Sequence, residues 1–88
     1  MKRKEILDTA RDLICLDRNE QYGEPEECLQ EIANLWSAYL QSPIKPAEVA
    51  MMLALMKVGR TKTGKFSVDN YIDAAGYIAL SGELKERK

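Results

Sequence analysis

The chain has 88 residues, 45% of them hydrophobic and 31% charged, a balance typical of one globular domain and not of a disordered tail or a membrane protein. Its net charge of −1 provides no overall positive field to attract bulk nucleic acid or an anionic membrane. Histidine is absent, which removes the commonest general base and the commonest transition-metal ligand and excludes a zinc site or a Ser-His triad. No cofactor is assigned.

No apolar stretch is long enough to span a bilayer, and acidic residues follow the basic start too soon for a signal-peptide core. We therefore expect a cytoplasmic protein without a membrane partner, and a single domain over residues 1–88. Cys15 and Cys28 lack the spacing of redox and metal motifs and are interpreted as buried packing thiols.

Two helices are predicted in the first half of the chain. Apolar residues recur at three- and four-residue steps from Lys4 to about Leu16, which predicts an amphipathic helix. A polar segment containing Gly23 follows, and Pro25 then stands at a position that helix starts favour. The second helix is predicted from Pro25 to about Leu40 and carries a broad apolar stripe, so it should contribute most to the core.

A third helix is predicted from Pro46, and its segment from Ala47 to Met56, with Glu48 as its one charged residue, is apolar around the whole circumference. Such a helix needs cover on every side, which four short helices do not easily provide. A second copy of the chain is therefore expected to cover part of it. The residues predicted to build this homo-oligomer contact are Val49, Met52, Leu53 and Met56.

A fourth helix is predicted after Ser67, whose side chain suits a helix cap, and it should run to about Leu84 before a frayed charged tail. Gly76 within it is interpreted as a point of close contact between helices. The predicted fold class is all-α, with four short helices in a compact helical bundle that oligomerisation completes.

The most specific local pattern joins the third and fourth helices. Lys57 and Arg60 share a face near the end of one helix, while Asp69, Asp73 and Tyr77 share a face of the next. In the structural interpretation the charges complement the helix ends and Asp73 pairs with Arg60. In the functional interpretation the two cations bind a phosphate or a similar anion, and Asp73 orients Arg60.

A second pattern lies before the second helix, where Arg18 precedes Tyr22, Gly23 and Pro25. Glycine allows close backbone approach to a ligand, a helix start offers free N–H groups, and a tyrosine ring can stack on a base. These features suit a nucleotide. The alternative is a glycine and a proline that end one helix and start the next, with the tyrosine packed over the joint.

A third possibility uses carboxylates, because Glu27 and Glu31 form one i,i+4 pair and Asp69 and Asp73 form another. Facing pairs of this kind can hold magnesium, as in all-helical nucleoside-triphosphate pyrophosphohydrolases. The EExxE and ExxD motifs of those enzymes are not reproduced here. A solvated helix face is the competing explanation, and no metal ligand is assigned.

Taken together, these motifs resemble a family of small phage and prophage proteins of unknown function, over residues 5 to 84. They are also similar to the nucleotide-modification-associated domains of phages, which share an R…YG, K…R, D…D…GY layout. The matching elements are Arg18, Tyr22-Gly23, Pro25, the run from Ile32 to Leu40, Lys57-x-x-Arg60 and Asp69-x-x-x-Asp73-x-x-Gly76-Tyr77.

The resemblance implies a phage-encoded accessory protein in the host-cell cytoplasm, acting in viral nucleotide metabolism or sequestering a nucleotide signal of host defence. Binding of an anionic nucleotide-type small molecule is favoured over turnover, and no catalytic residue is assigned. A magnesium-dependent hydrolase of nucleotides and a pure protein-interaction module are the alternatives. The predicted ligand-binding residues are Arg18, Tyr22, Gly23, Lys57, Arg60, Asp69, Asp73 and Tyr77.

Overall fold

The computed structural model describes residues 1–14 and 24–87, and every regular element in these ranges is helical. The helices are α1 (Arg3–Asp12), α2 (Pro25–Leu40), α3 (Pro46–Arg60) and α4 (Val68–Arg87). The predicted all-α bundle is therefore confirmed. Its extents are 40 × 29 × 25 Å.

The starts of the helices follow from their sequences. Pro25 and Pro46 open α2 and α3, where the missing proline N–H leaves no intrahelical bond unmade. At α3 the Glu48 carboxylate accepts a hydrogen bond from the Lys45 backbone N–H at 2.8 Å, which ties the first turn to the preceding loop. The predicted start of α4 directly after Ser67 is also confirmed.

The connection between α2 and α3 is fixed by one serine. The Ser37 hydroxyl accepts the Ile44 N–H at 2.8 Å and donates to the Ile44 carbonyl at 3.3 Å. Ile44 is thereby held against the core formed by these two helices. The last turn of α2 closes at Gln41 in the left-handed conformation, with φ of 54°.

The fourth helix is longer than predicted, because it continues past Leu84 to Arg87 instead of ending in a frayed tail. Arg87 donates to Glu83 one turn earlier, at 2.6 Å, and its guanidinium also lies 3.9 Å from Glu26 of α2. The last turn of α4 is therefore held by one ion pair within its own helix and by a second one to α2.

The helices are arranged around the α3–α4 pair, which is the most extensive contact, with α2 on α3 and α1 on α4. Ser81 near the end of α4 donates a buried hydrogen bond of 2.8 Å to the carbonyl of Ala47 at the start of α3. An early residue of one helix thus meets a late residue of the other, so the two form an antiparallel hairpin.

The core lies between α2, α3 and α4, and small side chains dominate it. Val49 is the largest side chain that is fully enclosed in the described ranges. The prediction that Val49 belongs to an oligomer contact is therefore wrong, because its side of α3 faces the core of its own chain. The core cluster comprises Leu29, Ala33, Val49, Ala50 and Leu80, with Ile14, Ile32, Trp36, Ile44, Leu53 and Leu84 packed around it.

Two further observations concern single features. In the described ranges no helix is both long and apolar enough to cross a membrane. Cys28 is exposed on α2, so its interpretation as a buried packing thiol is wrong. Leu29, the next residue, occupies the buried side of that helix, and consecutive helical residues point about 100° apart. Cys15 lies outside the described residues.

Candidate functional site at the α3–α4 hairpin

Lys57 is a cation on the inward side of an apolar helix. Ala50, Ala54 and Lys57 follow one another at steps of four and three residues and so share one side of the helix, and both alanines are buried. The lysine side chain is accordingly only 16% exposed. A lysine at such a position must find a partner, because a charge removed from water without one is costly.

Asp73 of α4 is that partner. Its carboxylate lies 2.9 Å from the Lys57 ammonium, and its side chain is 14% exposed. Two separate sequence motifs, the K…R pair and the D…D…GY run, therefore meet at one point between the helices. The pairing differs from the prediction, which placed Asp73 against Arg60.

Arg60 and Asp69 lie on either side of the loop that joins the two helices, and both are exposed. Arg60 ends α3, and among the described residues no carboxylate lies within 4.0 Å of its guanidinium. The loop between them turns through Gly64, whose φ of +67° suits glycine. Arg60 is therefore exposed to solvent at the loop end of the hairpin, three residues after Lys57.

Tyr77 follows Asp73 by one helical turn and is half-buried. Between them Gly76 lies so close to Ile14, two residues after the end of α1, that a Cβ at this position would lie 2.7 Å from Cγ1 of Ile14. The predicted close helix contact at Gly76 is confirmed. It brings the end of α1 against the same turn of α4 that carries Asp73 and Tyr77.

The segment of residues 15–23 follows directly from Ile14 in the chain. Three predicted ligand-binding residues, Arg18, Tyr22 and Gly23, lie outside the described residues. Five of the eight predicted residues can therefore be placed. Of these, Lys57 and Asp73 are in contact. Arg60 lies three residues after Lys57 on α3, and Asp69 and Tyr77 lie one turn before and one turn after Asp73 on α4.

The carboxylate pairs do not assemble. Glu27 and Glu31 are exposed on α2, and Asp73 is engaged by Lys57. Over residues 1–14 and 24–87, acidic residues and cysteines form no group of three that could hold a metal ion. The described part of the chain does not bring the four carboxylates into the arrangement that the hydrolase interpretation requires.

The sequence interpretation missed two features of the hairpin loop. Lys62 and Lys65 are exposed and add to the charge of Arg60, and a run of three cations without an acid from 60 to 66 was the available signal. Phe66 and Tyr71 bracket the start of α4 with ring centroids 5.9 Å apart. That spacing is typical of a hydrophobic staple, which fixes how the chain enters a helix.

Comparisons with known proteins extend over nearly the whole chain. Residues 5–85 match the profile of a family described as a domain of unknown function, DUF6378. The Gene 55 protein of Mycobacterium phage D29 is 40% identical over 81 residues, which cover 92% of this chain and 54% of that protein. The Gene 55 protein of Mycobacterium phage L5 is 37% identical over 81 residues, with coverages of 91% and 52%.

The chain spans about half the length of these curated relatives. No solved structure matches it.

Proposed function

The chain belongs to the DUF6378 family, and from that premise we propose that it is a phage accessory protein that binds an anionic, nucleotide-type small molecule at the loop end of the α3–α4 hairpin. The observation that carries the proposal is the secluded contact between Lys57 and Asp73. It joins the two motifs that the phage resemblance singles out.

The energetics of such a pair support a functional role. Two charges lose much of their hydration when they are secluded, and apolar side chains of the same volume often stabilise a protein as well or better. A secluded ion pair is therefore weak support for stability alone, which leaves room for a functional reason to keep it. At this hairpin it stands beside an exposed arginine and two exposed lysines of the loop.

Each placed residue has a proposed role. Arg60 provides a planar, bidentate donor for a phosphate group, and its exposure leaves that group accessible. Lys57 contributes positive charge from the preceding turn of α3, and Asp73 holds its side chain in place. Asp69 and Tyr77 are proposed to contact the sugar or base. Arg18, Tyr22 and Gly23 are proposed to complete the site from residues 15–23.

The biological role proposed for this binding is viral nucleotide metabolism or the sequestration of a nucleotide signal of host defence. Both roles require reversible binding of a phosphate-bearing ligand and neither requires turnover. Panels of ligands therefore provide the direct test, since linear nucleotides serve the first role and cyclic nucleotides the second.

The experiment is calorimetric titration of the protein with linear nucleoside triphosphates, cyclic dinucleotides and inorganic phosphate. The parent chain should bind one nucleotide class, and Arg60→Ala should weaken binding by about 1.5–3 kcal/mol, because a charged hydrogen bond is lost. The melting temperature of the variant should change little, since Arg60 is exposed.

Arg11→Ala is the matched control. Arg11 is an exposed arginine on α1 that pairs locally with Asp8 and Asp12, so its removal should leave the affinity unchanged. Absence of binding across the panel, or an equal loss of affinity in the Arg11 variant, would contradict the proposal. Lys57 and Asp73 would then be a structural ion pair, and Arg60 a solvated side chain beside it.

A further inference from the structure

The solvent-facing side of α3 is apolar. Over residues 48–59 this side carries five large hydrophobic residues and one charged residue, Glu48. Leu55 at its centre is 59% exposed. Scattered exposed hydrophobic residues are ordinary on a protein surface, whereas a continuous face of them marks an interaction site. The hydrophobic residues of this face are Met51, Met52, Leu55, Met56 and Val58.

The apolar face extends across to α4. A groove of about 510 Å³ runs between the two helices, with Met51 and Met52 on one wall and Ile78 and Gly82 on the other. Charged residues border it on both sides, Glu48 on α3 and Lys85 on α4. We call this combined surface the hairpin face.

From these observations we infer that the hairpin face is the contact surface of a homodimer, in which a second copy of the chain packs face to face. A two-fold axis along the groove would place each α3 over the partner's α4. Because α3 and α4 are antiparallel within one chain, the crossed-over helices would also be antiparallel, as in a four-helix layer.

The charges at the border of the groove favour a second copy as the occupant. Glu48 and Lys85 lie at the same end of the hairpin, since both border one groove. Rotation about the groove axis keeps that level and exchanges the two sides, so Glu48 would face the partner's Lys85. The same rotation brings methionines of one copy against Ile78 of the other, and methionine adapts readily to such a surface.

The hairpin face is separate from the proposed ligand site. Leu55 and Lys57 are two positions apart on α3, a rotation of about 200° around the helix axis. One points to solvent and the other toward α4. The dimer therefore does not depend on ligand binding, and either proposal can fail alone.

The test is analytical ultracentrifugation of the parent chain and two matched variants at micromolar concentration. The parent should sediment at twice the chain mass of 10.0 kDa. Leu55→Glu should raise the dimer dissociation constant by at least about a hundredfold, because it places an unpaired charge in an apolar contact. Leu35→Glu is the control, since Leu35 is 66% exposed on α2, a helix that contributes no residue to the groove.

Circular dichroism accompanies each measurement. If Leu55→Glu unfolds the chain, Lys85→Glu provides the second variant, because an exposed residue at the border should weaken the dimer through repulsion of the partner's Glu48 without loss of helix. A parent chain that stays at the monomer mass overturns the inference and leaves the face for a different protein. Equal dissociation of the Leu35 and Leu55 variants, or an unaffected dimer in both hairpin-face variants, also overturns it.

Discussion

Lys57 and Lys4 each form an ion pair with an aspartate, but the two pairs differ in their exposure to solvent. Lys57 lies 2.9 Å from Asp73 with both side chains largely secluded, whereas Lys4 lies 2.8 Å from Asp8 with exposures of 86% and 42%. The two N···O distances are nearly equal, whereas the exposure of the side chains to solvent differs widely. Water weakens the exposed attraction, while the secluded pair interacts at a lower effective dielectric constant.

We predict that Lys57→Met and Asp73→Asn each destabilise the fold by about 1–3 kcal/mol, because each removes one partner of a secluded pair. The double variant should lose less than the sum of the two, with a coupling energy of about 1–2 kcal/mol. Urea unfolding of the four proteins in the cycle provides the measurement.

The same cycle at Lys4→Met and Asp8→Asn is the control, and its coupling energy should stay below about 0.5 kcal/mol. Equal coupling at the two sites would show that the seclusion of Lys57 and Asp73 adds nothing. In that case the ion pair would no longer support a special role for the hairpin end.

The identity of the Asp73 partner also shows what the sequence alone leaves open at a site. The motif spacing correctly indicated that cations of α3 and carboxylates of α4 share a hairpin. Which cation pairs depends on the phase of α3 relative to the core, and Lys57 lies in line with the buried Ala50 and Ala54. Arg60 is three positions further, at the helix end, where its side chain is exposed.

At the scale of elements, the local signals predicted the helix starts well. Pro25 and Pro46 open their helices at the predicted residues, because the effect of proline on a helix is confined to one turn. The end of α4 was predicted less well. Arg87 is held partly by Glu26, 61 positions earlier in the chain, and no local pattern reports such a contact.

The contact between α1 and α4 leads to a prediction at this scale. Gly76→Ala should destabilise the protein by about 1–3 kcal/mol, because the added methyl group would overlap the Ile14 side chain and force a shift in a packed contact. The gain in helix propensity, about 1 kcal/mol, should not offset it. Thermal and urea unfolding would measure the change.

Gly59→Ala is the control for this substitution. Gly59 also lies in a helix. Apart from its chain neighbours and the nearby backbone of its own helix, no atom lies within 4 Å of a Cβ built there. That variant should be neutral or stabilised by up to about 1 kcal/mol. Similar stability changes in the two variants would mean that α1 does not pack against Gly76 as described.

At the scale of the whole molecule, the core is thin. Three of the five residues in its central cluster are alanine or valine on α3 and α2, and Val49 is the largest fully enclosed side chain of the described ranges. Burial of apolar area is the main source of stability, and small side chains provide little of it. The large hydrophobic residues of α3 are instead on the hairpin face.

If a second copy covers those residues, stability should depend on protein concentration. We expect the melting temperature of the parent chain to rise as its concentration is increased a hundredfold, since mass action favours the folded dimer. The Leu55→Glu variant should show no such rise. A melting temperature that stays constant for the parent chain would show that each copy folds without help from another.

The two polar contacts of the hairpin have a consequence for the alignment of its helices. Apolar surfaces alone resist sliding weakly, because one row of alanines resembles the next, and a shift of one helical turn moves a helix by about 5.4 Å. Here Ser81 bonds Ala47 at one end and Lys57 meets Asp73 at the other. A slip of one turn would break both contacts at once. In one direction it would bring Asp69 to Lys57 in place of Asp73, but it would still take the Ser81 hydroxyl away from the Ala47 carbonyl. The two contacts form together in one register only, and that register fixes the spacing between the residues at the open end of the hairpin and those at its loop end.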